Sequence, residues 1–282
     1  MKEKDYAVRA SHCDHRATEE EIYEVLRRTT EPLTRSWEKL EKASRIVLKF
    51  NMVKPPERVE YFAGRRRELV DDAVTRAVLR LLRERTTATL IATDTYPYGN
   101  GHRIPEDFNY RHHLEDFDVE FVDSNLPPFT TYEVPGGGCM FDRYVLNSCF
   151  EESDEFVSIA KMKNHAFMGI TLTLKNLFGL PPMIPPEGRT RSYYHHFIRL
   201  SYVLPDLGMI TKPCLNIVDA HRAVASWRRT ACDQGLVYRE EQKRLLDEYR
   251  GDFIYLQDGS VVWNGPDPTN LGSRRKLSGD RK

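Results

Sequence analysis

Short apolar runs alternate along the chain with longer segments that have the period of a helix. The runs are rich in Val, Ile and Phe, and each is followed by a cluster of polar residues. This alternation predicts an α/β fold, with a mostly parallel open sheet and crossover helices. The predicted strands are residues 6–10, 46–50, 89–93, 119–122, 156–161 and 215–218.

Three segments between these strands carry helix signals. Thr18 followed by Glu21 is a capping-box pattern and predicts a helix over about residues 19–28. Residues 69–85 keep an apolar stripe with charged residues on the other faces, which also predicts a helix. In residues 170–178 apolar side chains recur with helical spacing and predict a helix packed on the sheet, although the alternation over 171–174 leaves a strand open.

The chain changes character after about residue 235. Residues 238–250 are densely charged and predict a surface helix, and residues 253–257 and 261–264 flank Asp258-Gly259, a hairpin turn signal. We therefore expect an α/β core domain over 1–235, a helix and β-hairpin extension over 236–265 and a flexible tail over 266–282.

Composition excludes several classes of protein. The chain has 282 residues, 40% of them hydrophobic, which is enough for a sizeable core in a soluble globular protein. Lys plus Arg and Asp plus Glu both number 42, so the basic surface that nucleic acid requires is not expected. No apolar run is long enough to span a membrane and the N-terminus lacks a secretion signal, so no membrane partner and a cytoplasmic location are predicted. The five cysteines form no CxxC pair, so neither disulfides nor an iron–sulfur cluster are expected.

Polar side chains follow the predicted strands where each strand ends. Open α/β sheets bind ligands outside the carboxyl ends of their strands, so we expect these side chains to converge at one edge of the sheet. The residues concerned are Lys49, Asn51, Asp94, Asp123, Lys163, His165, Asp219 and Arg222.

The densest cluster of such residues lies in the segment 161–179. Two lysines, a histidine, a threonine and an asparagine predict a cationic pocket that is rich in hydrogen-bond donors and suited to a carboxylate, a phosphate or a developing oxyanion. These residues are Lys163, His165, Thr171, Lys175 and Asn176. The alternative is structural: the lysines would pair with neighbouring acids and Asn176 would end a helix.

The same segment resembles a known family. Lys163-Asn164-His165 followed by Thr171-Leu-Thr-Leu-Lys-Asn-Leu-Phe-Gly179 is similar to the signature of the bacterial and archaeal family known as domain of unknown function 362. The resemblance covers roughly residues 5 to 222 and includes Lys49-Phe-Asn51, Asp94, Tyr194-His195 and Ile217-Val-Asp219. It implies the fold and the location of the pocket, but neither a reaction nor a cofactor. The region after residue 219 departs from the family pattern, and the cysteines of the ferredoxin-like module found in some members are absent.

Two functional hypotheses follow from these residues. The first is an enzyme that acts on a small anionic metabolite, with Lys163, His165 and Lys175 as catalytic residues. Its substrate-binding residues would be Lys49, Asn51, Thr171, Asn176 and Arg222. A divalent metal, iron, manganese or zinc, is a candidate Lewis acid, with His165, His195, Asp94 and Asp219 as its ligands.

The second hypothesis is a non-catalytic protein that uses the same pocket to bind an anion or a cofactor. A homo-oligomer is left open by the sequence. The histidines outside the predicted site, His102, His112, His113 and His196, are assigned to the surface or to packing.

Overall fold

The computed structural model describes residues 7–52, 57, 59–95, 110–165, 168–224, 253–257 and 260–265, and for 221–224 and 253–265 it describes the backbone alone. The chain divides into two compact units. The first contains residues 1–164 and 168–224, and the second contains residues 165–167 and 225–282.

Helices and strands alternate through most of the described chain. The helices are α1 (Glu19–Thr30), α2 (Thr34–Lys42), α3 (Asp72–Arg85), α4 (Arg111–Asp116), α5 (Thr173–Asn176), α6 (Arg191–His196) and α7 (Leu200–Thr211). The strands are β1 (Arg45–Lys49), β2 (Tyr61–Phe62), β3 (Arg65–Arg66), β4 (Thr89–Asp94), β5 (Val119–Asp123), β6 (Phe129–Glu133), β7 (Arg143–Asn147), β8 (Glu155–His165), β9 (Gly169–Thr171), β10 (Leu215–Val224), β11 (Phe253–Gln257) and β12 (Ser260–Gly265).

The central sheet confirms the predicted α/β fold. Its strands run in the order β10-β8-β1-β4-β5 and each neighbouring pair is parallel, while β9 pairs with β8 beside this path. These five strands correspond to the predicted strands at 46–50, 89–93, 119–122, 156–161 and 215–218. The strand predicted at 6–10 is wrong over its described part, because residues 7–10 are exposed and pair with no strand of the described sheet.

The two best-defined helix predictions are confirmed. At the start of α1 the Glu21 backbone N–H donates to Thr18 Oγ1 (3.2 Å) and the Thr18 N–H donates to Glu21 Oε2 (2.7 Å), which is the predicted capping box. Helix α3 begins at Asp72, a little later than predicted, because the Asp71 side chain accepts from Ala73 N and caps it.

The helix predicted over 170–178 is wrong. The segment contains β9, then the single turn of α5, then a 3-10 turn over Leu177–Gly179. The apolar spacing does not mark one buried face, since Ile170 and Leu174 are 44% and 45% exposed while Leu177 and Phe178 are buried. Thr171 therefore lies in a strand and Lys175 in a helix, rather than together on one helix face.

Hydrophobic layers cover both faces of the sheet. Ile46 and Leu48 of β1 belong to the layer that includes residues of α1, α2 and α3. Val47 points to the other face, into a layer with α7, the hairpin β6–β7 and Phe178. Alternate residues of one strand therefore serve different layers, and this alternation decides on which face each polar side chain lies.

In the second unit, β11 and β12 form the antiparallel hairpin that the sequence predicts. The predicted helix over 238–250 and the tail over 266–282 lie outside the described residues, as does the boundary proposed near residue 235. None of the described helices combines the length and the apolar character needed to cross a lipid bilayer.

Candidate functional site

The strand order changes direction between β1 and β8. From β1 the chain adds β4 and β5 on one side, and later adds β8 and β10 on the other side. In open α/β sheets ligands bind outside the carboxyl ends of the strands at such a switch point. The register between the two strands ends at the pair Lys49 and Ser158, so the carboxyl end of β1 marks this place.

Asn176 bridges the two strands just beyond their last pair. Its Nδ2 group lies 2.8 Å from Lys49 O, 3.2 Å from Ser158 Oγ and 3.2 Å from Ile159 O, and its Oδ1 accepts from Lys49 Nζ at 3.3 Å. The side chain is buried, and these contacts occupy both its donor and its acceptor groups. The structure therefore shows Asn176 in a structural position that joins β1 to β8, and the substrate contact assigned to it from the sequence stays a prediction.

Lys49 forms a buried ion pair with Asp94. Lys49 Nζ lies 3.0 Å from Asp94 Oδ2, and the two side chains are 1% and 7% exposed. The Asp94 carboxylate also accepts from the backbone N–H groups of Met52 (2.9 Å) and Thr95 (2.8 Å). Burial lowers the pKa of Lys49, and the neighbouring Asp94 opposes this shift.

Gly179 makes room for this ion pair. A Cβ atom at residue 179 would lie 2.2 Å from Asp94 Oδ1, 2.5 Å from Lys49 Cε and 2.6 Å from Lys49 Nζ. Side chains do not tolerate such distances to buried groups, so only glycine fits here. The last residue of the predicted signature is thus explained by packing against Lys49 and Asp94.

A second buried ion pair lies on the other face of the sheet. Lys161 Nζ is 3.0 Å from Asp219 Oδ2 with both side chains fully buried, and Asp219 Oδ2 also accepts from Asp71 N at 2.9 Å. Lys161 lies two residues after Ile159 and four after Val157, so it points to the same face as these residues, towards the layer of α1 to α3. Lys49 lies two residues after Val47 and points to the other face. The expected convergence is therefore incomplete, because Asp219 lies on the face opposite to Lys49.

The structure separates the two carboxylates among the predicted metal ligands. Asp94 is in β4 and Asp219 is in β10, with β1 and β8 between them, a separation of about 14 Å for three strand spacings. Each carboxylate is occupied by a lysine and by at least one backbone amide. His195 lies in α6, and His165 is the last residue of β8 and belongs to the second unit. The two predicted carboxylate ligands, Asp94 and Asp219, are therefore held apart, each by its own lysine.

Lys175 lies in an unusual electrostatic environment. Burial, followed by the charges of Arg191, Lys163 and Lys49, lowers the pKa of Lys175 to about 7, and Asp94 only partly opposes this. Three cations from β1, β8 and α6 therefore act on one ammonium group beside the switch point.

The ring of Phe178 organises part of this cationic cluster. Lys175 Nζ lies 4.8 Å and Arg191 Cζ 5.1 Å from the centre of the ring, and the His195 ring lies 5.4 Å away. Arg191 also donates to Thr95 O (3.3 Å) and to Thr95 Oγ1, which fixes the guanidinium next to the residue that follows Asp94.

The structure describes the side chains of Asn51 and Thr171, but not that of Arg222. Lys163 Nζ donates to Asn51 Oδ1 (3.2 Å) and to Glu68 O (2.9 Å), so Asn51 positions a cation here. The buried hydroxyl oxygen of Thr171 has no hydrogen-bond partner in the described structure, a sign of a site that a ligand or water completes. Arg222 is in β10, but its side chain lies outside the described residues.

Arg191 is the functional candidate that the sequence reasoning missed. It lies in a polar segment that follows a proline-rich loop, without the period of a helix or strand to single it out. Its helix α6 is short and is capped by Thr190, whose side chain accepts from Tyr193 N. The Thr190-Arg191 pair could have indicated a helix start, but only the folded chain brings Arg191 to Phe178 and Thr95.

An open groove at the opposite end of the sheet is a poorer candidate. It has a volume of about 530 Å³ and lies at the amino ends of β4 and β5, next to Thr89 and Val119. Its guanidinium group, that of Arg83, is already committed to the backbone oxygens of Phe117 and Ala88. The groove therefore offers volume, while the lysines with lowered pKa values, Lys49 and Lys175, lie at the carboxyl ends of the strands.

Taken together, the fold and the site define an α/β protein with a cationic cluster at the switch point of a parallel sheet. Residues 46–237 match the family described as Domain of unknown function (DUF362), and the chain belongs to this family. The resemblance seen in the sequence is thereby confirmed. The chain is also similar to the Thylakoid-associated protein sll1697 of Synechocystis sp., with 24% identity over 226 residues that cover 75% of this chain and 67% of that protein.

Proposed function

We propose that the protein is an enzyme that acts on a small metabolite carrying a carboxylate or phosphate group, with Lys175 as the residue that transfers a proton. The observation that carries the proposal is the pKa of Lys175, which burial and neighbouring cations bring to about 7. General acid–base catalysis is most efficient when the pKa of the group lies near the working pH. A lysine with its ordinary pKa would remain protonated and could act only as a cation.

The charges around Lys175 support an anionic substrate. Arg191, Lys163 and Lys49 all act on this residue, and the one acid that opposes them, Asp94, is itself paired with Lys49. An anion bound between Arg191 and Lys163 would relieve the repulsion among these cations. We assign the buried hydroxyl of Thr171, which has no hydrogen-bond partner in the described structure, to the same ligand as a further donor.

These positions suggest a division of roles. Arg191 and Lys163 would hold the anionic group, while Lys175 accepts a proton from the substrate in its neutral form or donates one to a developing oxyanion in its charged form. Lys49 and Asp94 would form the buried floor of the site, and the ring of Phe178 would keep Lys175 and Arg191 in place. A metal ion has no part in this proposal, because the predicted carboxylate ligands Asp94 and Asp219 are each paired with a lysine.

The test combines ligand binding with turnover. Purified protein is screened against a panel of small carboxylates and phosphates by thermal shift, and the ligands that bind are followed for chemical change by NMR. The Lys175→Met variant should still bind but lose at least a hundredfold in turnover, the loss typical for a removed acid or base. Lys212→Gln is the matched control, because Lys212 is an exposed lysine at the end of α7.

Binding without any chemical change would favour the second candidate, a non-catalytic protein that holds an anion or cofactor in the same site. One observation favours it: the Synechocystis relative is named for an association with thylakoids and not for a reaction. If neither wild type nor Lys212→Gln binds any anion of the panel, both proposals fail.

A further inference from the structure

Two adjacent histidines of α4 meet the first residue of α3. The rings of His112 and His113 have their centres 3.8 Å apart, and His113 Nε2 lies 2.6 Å from Asp72 Oδ1. One ligand atom from each of these three residues lies within 4.8 Å of the other two. From the sequence both histidines are expected at the surface or in packing, and the predicted metal ligands are other residues.

We propose that His112 and His113 bind a divalent transition-metal ion such as Zn²⁺, with Asp72 as the carboxylate that orients His113. The site is independent of the cationic cluster around Lys175. It is built by the start of α3 and by α4, at residues that the proposed reaction does not use.

The hydrogen bond to Asp72 determines which nitrogen of His113 is available. A carboxylate accepts hydrogen bonds, so the neutral ring carries its proton on Nε2 and leaves the lone pair on Nδ1. The whole His113 side chain is only 4% exposed. Its Nδ1 atom is buried and has no hydrogen-bond partner in the described structure. A bond to a metal ion would give Nδ1 the partner that it lacks. Histidines that bind metals commonly donate their other ring N–H to a carboxylate in this way.

Asp72 is held firmly enough for this orienting role. Arg66 NH2 lies 2.6 Å from Asp72 Oδ1, and Arg66 Nε donates to Asp72 Oδ2 at 3.0 Å. The guanidinium largely neutralises the carboxylate, so the attraction for a cation comes from imidazole nitrogens rather than from net charge. Imidazole ligands favour Zn²⁺, Co²⁺, Ni²⁺ and Cu²⁺ over Mg²⁺ and Ca²⁺.

The geometry requires only a small adjustment. In a tetrahedral zinc site with bonds of about 2.1 Å the ligand atoms are about 3.4 Å apart, so ligand atoms that lie within 4.8 Å of one another must approach by at most about 1.4 Å. The His112 ring can supply this movement because the residue is exposed, while His113 is buried and fixed. Water would complete the coordination, and the ion would tie α4 to the first turn of α3.

The experiment measures metal binding directly and does not depend on any activity. Full-length protein without a histidine tag is stripped with a chelator and titrated with Zn²⁺ by calorimetry, and Co²⁺ absorption provides an independent signal from nitrogen ligands. We expect one ion per chain. His112→Gln should weaken its binding at least tenfold, and it should not disturb folding because His112 is exposed. The matched control is His196→Gln, which changes an exposed histidine of α6 and should leave the affinity unchanged.

Asp72→Asn tests the orienting role separately. The loss of an orienting carboxylate typically weakens metal binding by about 10-fold to 100-fold, and the Co²⁺ spectrum should persist because both nitrogen ligands remain. The proposal is overturned if the wild type binds no Zn²⁺, if His112→Gln binds it as tightly as the wild type, or if His196→Gln weakens it equally. None of these results would alter the case for Lys175.

Discussion

Replacing Gly179 by alanine tests the packing around the buried ion pair of Lys49 and Asp94. The added methyl group would lie 2.2 Å from Asp94 Oδ1 and 2.5 Å from Lys49 Cε. Both distances are more than 1 Å below an ordinary contact of about 3.5–4.0 Å between heavy atoms. The methyl group therefore cannot be accommodated unless Asp94 or Lys49 moves.

The cost follows from what Asp94 would lose by moving. Its carboxylate is paired with Lys49 and accepts from two backbone amides, of Met52 and Thr95. Hydrogen bonds to charged groups contribute about 1.5–3 kcal/mol each, and breaking a buried ion pair costs about 3–5 kcal/mol. We therefore expect Gly179→Ala to lower the free energy of unfolding by about 3–5 kcal/mol, a large part of the roughly 5–15 kcal/mol that stabilises a typical domain.

Urea unfolding followed by circular dichroism measures this change, with the midpoint and the slope reported together. Gly208→Ala is the matched control. Gly208 lies inside α7, where an added Cβ atom would meet only the end of the Leu174 side chain, at 3.0 Å. The higher helix propensity of alanine, worth up to about 1 kcal/mol, should offset that contact, so the control should change by less than about 1 kcal/mol.

An unchanged midpoint for Gly179→Ala would refute this reasoning. It would mean that the ion pair rearranges at no cost, and that Gly179 is not explained by the close approach of Lys49 and Asp94. A loss of equal size in Gly208→Ala would also count against it, because the effect would then not be specific to the ion pair.

Four further predictions concern other charged groups. Lys161→Met should lower the free energy of unfolding, measured in urea, by about 3–5 kcal/mol, because the buried Asp219 carboxylate loses its ammonium partner. Asp206→Asn should lower it by about 2–4 kcal/mol, because the carboxylate accepts from the backbone amides of residues 139–141 and amide oxygen is a weaker acceptor. Sulfate affinity, measured by calorimetry, should fall as the pH rises through about 7, where Lys175 loses its proton, and the fall should be absent in Lys175→Met. Stability should rise over the same range and up to about pH 10, because the unfolded lysine with its ordinary pKa of 10.5 binds more protons than the folded one, and a flat stability profile would contradict the lowered pKa.

The parts of the fold that could be predicted are those fixed by local sequence. The strand at 46–50 is apolar apart from Lys49 and is buried on both faces, so its pattern needs no tertiary information. The start of α1 follows from Thr18 and Glu21, which satisfy each other's backbone groups within one turn. Neither feature depends on a distant part of the chain.

The sequence predictions fail where contacts between distant parts of the chain determine the local structure. In the segment 170–178 the helical spacing of Ile170 and Leu174 suggested a buried face, but the chain turns at Leu172 and leaves both side chains exposed. Arg191 has no local pattern at all, and its role depends on contacts with Thr95 and Phe178. Helix propensity and hydrophobic periodicity are local properties of the sequence and cannot predict such contacts.

The candidate site was predicted in its composition but not in its arrangement. The sequence located the lysines and Asn176, yet it placed Asp219 beside Asp94, although β1 and β8 lie between their strands and Asp219 lies on the face opposite to Lys49, the partner of Asp94. The position of a residue at the end of a strand determines at which edge of the sheet its side chain lies. The face depends on strand register, which becomes known only when neighbouring strands are paired.

Asn176 has a practical consequence for protein engineering. Because its amide is tied to two strands, the preceding backbone is clamped and residue 175 projects from a fixed attachment point. Cysteine, histidine or glutamate grafted there would start from the same place as the native side chain. The chain thus offers a ready scaffold on which different reactive groups can be compared while their surroundings stay constant.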